Sequence, residues 1–103
     1  MHSLPINYSS YYPELTLIKL LDLHLAHKIE EGLEKSSIKN ETSQQKNIIE
    51  FLQINKLLHL NSNETDESFF DEVAHYLKSK KKHKPVHVAR HLRMITETLR
   101  WAK

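Results

Sequence analysis

The chain has 103 residues, 39% of them apolar and 27% charged, a balance that excludes wholesale disorder and a length that suits one domain. One glycine and three prolines supply too few turns for a multi-stranded β fold, and the lack of cysteine removes disulfides, thiolate nucleophiles and cysteine-held metal clusters. The formal net charge of +2 is small, but it hides a strong asymmetry along the chain.

An all-α fold follows: a small bundle of three to four helices in a single domain over residues 13–103, preceded by an arm at 1–12. In the arm, Pro5 and Pro13 bracket Tyr8, Tyr11 and Tyr12, with no sustained period. The first residues lack a basic segment followed by a long apolar run, so no secretory signal is expected. The stretch from Leu15 to Leu25 is broken by Lys19, Asp22 and His24 and is too short to span a bilayer. A cytoplasmic protein without membrane contact is the reading.

The first helix is expected from about Pro13 to Lys35. Proline suits the first helical position, and Glu14 favours the positive helix start. Ile18, Leu21, Leu25, Ile29 and Leu33 recur at helical steps, and Leu17, Leu20 and Leu23 widen the stripe. A helix this apolar needs cover on two sides, which makes it central or shared with a second subunit. Ser36, Ser37, Lys39 and Asn40 then mark a connection. A second helix is expected from about Ser43 to Leu60, where Thr42 and Gln45 have capping-box spacing and Asn61-Ser62-Asn63 ends the run.

The third helix should be capped by Thr65 or Asp66. Acids fill its first turns, and Phe70, Val73, Ala74 and Leu77 form its buried stripe, flanked by Phe69 and Tyr76. The fourth begins near Pro85. Val88, Leu92, Ile95, Leu99 and Ala102 follow at steps of four, three, four and three, a heptad-like seam.

Residues 1–76 hold 6 lysines against 12 acids, while residues 77–103 hold 9 lysines and arginines against Glu97 alone. Every arginine falls in the fourth helix. On a helical projection Arg90, Arg93 and Arg100 lie opposite the seam with Glu97 among them, and Met94 and Trp101 project beside Arg90. Guanidinium groups grip phosphates in bidentate fashion, lysines add salt-sensitive charge, and an exposed indole stacks on a base. The candidate nucleic-acid contacts are therefore Lys80, Lys81, Lys82, Lys84, Arg90, Arg93, Arg100 and Trp101, the lysines forming a flexible loop of about seven residues. A loop of that length without glycine does not fit a helix-turn-helix, so backbone-dominated binding is expected.

Eight histidines are many for this length. His24 with His27, and His83, His87 and His91, share helix faces, and Glu72 with His75 has the Glu-x-x-His spacing of di-iron bundles. Such bundles need a second pair, and His87-x-x-x-His91 lacks the glutamate of a zinc peptidase, so no metal or other cofactor is assigned. Protonation of the 83–91 group in mild acid would instead add positive charge beside the lysines. There is no nucleophile elbow, phosphate loop or paired acid, which points away from catalysis. The sequence thus describes a non-enzymatic accessory or regulatory protein that contacts nucleic acid. The alternative is an adaptor or inhibitor, homodimeric in one version, whose basic face docks an acidic protein.

Overall fold

The computed structural model describes residues 15–102. Among these residues there are four α-helices and no strand: α1 (Leu17–Glu30), α2 (Lys35–Ile54), α3 (Glu67–Ser79) and α4 (Pro85–Trp101), with a short 3-10 turn at Ser62–Glu64. The arm at 1–12 and the expected start at Pro13 lie outside the described residues.

Helix α1 begins at Leu17 because Thr16 caps it, its hydroxyl oxygen accepting from the Lys19 amide at 3.1 Å. The extended residue before it pairs with the α2–α3 connection, through Leu17 N to Leu60 O and Ser62 N to Leu15 O. The helix ends at Glu30, earlier than Lys35. Gly32 takes φ +100°, which lets the Leu33 and Gly32 amides reach back to the Lys28 and Ile29 carbonyls. One glycine thereby satisfies two orphaned acceptors and turns the chain.

Helix α2 differs most from expectation. Residues 36–40 are helical rather than a connection, and Thr42 and Gln45 sit inside the helix, not at a cap. Gln45 is buried there and donates from its amide to the Asp22 carboxylate of α1. The helix also stops at Ile54, short of Leu60. Lys56 adopts φ 58°, and the amides of Leu57 and Lys56 bond back to the carbonyls of Leu52 and Gln53. The capping box belongs instead to Asn61 and Glu64, which start the 3-10 turn.

Helix α3 opens as its sequence suggests, with Asp66 accepting from the Phe69 amide at 2.9 Å. Its buried residues are Phe69, Val73, Tyr76 and Leu77, while Phe70 and Ala74 are only half-buried. The stripe is turned toward Phe69 because Phe51 of α2 packs edge-on against both Phe69 and Tyr76, at centroid distances of 5.9 and 5.5 Å.

Helix α4 starts with Pro85 at its first turn. Its buried residues are Val88, His91, Met94, Ile95 and Thr98, and Leu92 and Leu99 are half-buried. The core sector is thus rotated by roughly 50° from the Val88–Leu99 seam. The cause is a second neighbour. Helix α4 packs on α1, α2 and α3 alike, so its core arc spans more than one interface. Leu17, Leu21, Ile48, Leu52, Val73, Leu77 and Ile95 form the common core, and Leu20 with Ala102 forms a smaller cluster where α1 meets the end of α4.

Candidate nucleic-acid interface

Rotation of α4 into three neighbours leaves one arc of the helix uncovered. Arg90, Arg93 and Arg100 lie on it and are all exposed. Among the described residues none of the three forms a salt bridge; the ion pairs there are His27–Glu31, Lys28–Glu41 and Lys81–Glu50. Arg90 and Arg93 flank a shallow depression shared with Glu41 and Glu97, but Glu41 is held by Lys28 at 2.7 Å. The outer arc of α4 is therefore net cationic, its three arginines outnumbering the one carboxylate there, the exposed Glu97.

The lysine segment is less free than its composition suggests. Lys78 and Ser79 are the last residues of α3, which leaves residues 80–84 as the connection. The amides of Lys80 and Lys81 bond to the Tyr76 carbonyl and that of His83 to the Leu77 carbonyl. These bonds satisfy the end of α3, and Lys82 turns the chain at φ 57°. Lys81 is half-buried against Glu50, its ammonium 3.2 Å from each carboxylate oxygen, so its charge is largely spent inside the fold. Lys80, Lys82 and Lys84 remain exposed, with no ion pair among the described residues.

Two expectations for the outer face need correcting. Met94 is buried, because the core arc of α4 reaches round to it. Trp101 is half-buried and lies on α1: its ring stacks on His24 at 4.8 Å with an interplanar angle of 17°, and stands 5.4 Å from the His27 ring. That stack covers one face of the indole within the molecule. Residues 24, 27 and 101 therefore clamp the end of α4 onto α1, a contact that sequence reasoning missed because the three positions are adjacent only across helices.

Among the described residues no group of three or more histidine or acidic side chains could hold a metal. His24 is buried, and Thr98 bonds its Nδ1 at 2.7 Å. Desolvation, reinforced by the Lys28 charge, pushes its pKa from 6.5 down to about 4. The unfolded chain thus takes up a proton that the folded chain refuses between those values. Stability should hold above pH 6.5 and fall as the pH drops toward 4, by about 2 kcal/mol at pH 4.5. Urea melts at pH 7 and 4.5 will check this: His24→Phe should reduce the acid loss, and an unchanged loss would remove His24 as its cause.

A separate concavity lies between other helices. A groove of 720 Å³ between α2 and α3 is floored by Phe51, Ile54 and Tyr76, but Asp71 and Glu72 stand on its rim. Lys80 and Lys81 also line this groove, so its charge is mixed rather than cationic throughout.

Residues 16–103 match the phage integrase SAM-like domain. The chain belongs to that family. No curated protein and no solved structure matches it. The SAM-like domain accounts for a helical bundle over most of the chain. No helix among its described residues is long and apolar enough to cross a membrane.

Proposed function

We propose that this SAM-like domain is a non-catalytic module that contacts DNA through the outer arc of α4 and the connection before it. The observation that carries the reading is the set of exposed arginines, Arg90, Arg93 and Arg100, without a carboxylate partner among the described residues. Lys80, Lys82 and Lys84 extend the same charge toward α3, and kinship with a domain of integrases, proteins that join DNA, makes a nucleic acid the fitting polyanion. Lys81 contributes little while Glu50 holds it, and Trp101 acts in the fold rather than on a base. Contacts of this type are made to phosphates, so affinity should depend weakly on base sequence and steeply on salt.

Titration of a labelled 20–25 base-pair duplex in low salt is the test. Binding that weakens steeply between 50 and 200 mM salt supports the reading. Absence of binding at the lowest salt removes it and leaves an acidic protein as the partner to seek. Self-association through α1 is a second reading, resting on Ile29, 45% exposed beside half-buried Leu25. Light scattering that gives a monomer at high concentration would exclude it.

A further inference from the structure

Between α2 and α4 lies a cleft of about 360 Å³ with a lining unlike the rest of the surface. Helix α2 contributes Asn40, Ser43, Gln44 and Asn47, all neutral and all able to donate hydrogen bonds. The opposite wall is built by His83 from the connection and by His87, Arg90 and His91 from the first turns of α4. No carboxylate lines it. The acids on α2 on either side in sequence, Glu41 and Glu50, are already engaged by Lys28 and Lys81.

The imidazoles in this cleft are not equivalent. His91 is buried, and its Nδ1 donates to the His87 carbonyl at 2.6 Å while its Nε2 accepts from the Asn47 amide at 3.0 Å. Those two bonds specify one neutral tautomer. Desolvation, together with the nearby His83 and His87, holds the pKa of His91 below its usual value, against the pull of the His87 carbonyl. His91 is thus a fixed neutral post. His83 leans on it with ring centroids 5.1 Å apart and on His87 at 6.2 Å, and its buried Nδ1 has no hydrogen-bond partner. A guanidinium facing neutral donors, with no carboxylate in the lining, suits an anion that itself carries acceptor oxygens.

We infer that this cleft seats a single phosphate group, held by Arg90 and the α2 amides, and that the grip tightens in mild acid as His83 and His87 become imidazolium. The inference rests on the DNA reading for the source of the phosphate, a backbone phosphate of the duplex lying along α4. The cleft opens beside the N-terminal turns of α4, whose dipole acts in the same direction. The other charged or titratable groups lining the cleft with the pair are His91 and Arg90 from α4, and α2 contributes only neutral side chains. A bound phosphate favours the charged form of an imidazole that faces it, which draws binding toward lower pH.

Duplex affinity measured at pH 8.0 and 5.5, at constant ionic strength, tests the proposal on the wild type and on the His83→Gln/His87→Gln double variant. The wild type should tighten by about tenfold at the lower pH and the double variant by less than about twofold. Equal wild-type affinity at both pH values, or a double variant that keeps the full change, overturns the inference while leaving DNA binding intact. Imidazole NMR titrations of the wild type with inorganic phosphate form the second arm and need no variant to fold. Upward movement of the His83 and His87 midpoints without duplex binding would keep the phosphate seat and discard the DNA source. Immobile midpoints together with pH-independent duplex binding would discard the seat.

Discussion

Replacing Arg90, Arg93 and Arg100 together with alanine is expected to weaken duplex binding at least about a hundredfold near 0.1 M salt, with helicity unchanged. Each guanidinium is exposed and free of a carboxylate among the described residues, so removal breaks nothing inside the fold. Alanine is the strongest helix former, so α4 should persist in circular dichroism. The plot of log affinity against log salt should also become shallower by roughly three, because three fewer counterions are released. A variant that binds as tightly as the wild type, with the same salt slope, would move the interface away from α4.

Leu52→Ala and Ile54→Ala should behave very differently although the residues stand two apart on one helix. Leu52 is fully buried in the common core, so truncation removes its transfer energy and leaves a cavity. The expected loss is about 3 kcal/mol, a fall in melting temperature of roughly 15 °C for a domain of this size. Ile54 is 65% exposed in the last turn of α2, and its truncation should change stability by less than about 0.5 kcal/mol. Thermal unfolding of the two variants checks the register of α2. Similar losses at both positions would mean that the helix presents a different face to the core.

That pair of residues also marks how far the sequence could be read. The class of fold was legible because glycine scarcity, apolar periodicity and the Asp66 and Pro85 start signals all agree. The ends of α2 were not. Polar residues 36–40 resemble a linker, and a lysine at a left-handed helix end carries no sequence signal. Ile54 and Leu58 are apolar yet exposed, Ile54 as the last residue of α2 and Leu58 beyond its end.

The site was legible in part for a similar reason. Exposure of Arg90, Arg93 and Arg100 follows from a one-helix projection, since residues opposite any plausible seam face outward. Lys81 and Trp101 depend on partners far away in sequence, Glu50 and His24, and no local pattern announces such pairs. The histidine spacing proved informative in another way. His83, His87 and His91 do share a face, but α2 meets that face with neutral polar side chains rather than acids, so the cleft holds no carboxylate and, among the described residues, no metal-ligand group.

Amide chemical-shift mapping of the labelled domain during addition of a short duplex tests the cationic-arc account most directly. The account predicts shifts that cluster at residues 80–84 and along the Arg90–Arg93–Arg100 arc, extending into the His83–His87 cleft. Shifts centred instead on the α2–α3 groove around Ile54 and Glu72, or none anywhere at low salt, would contradict it.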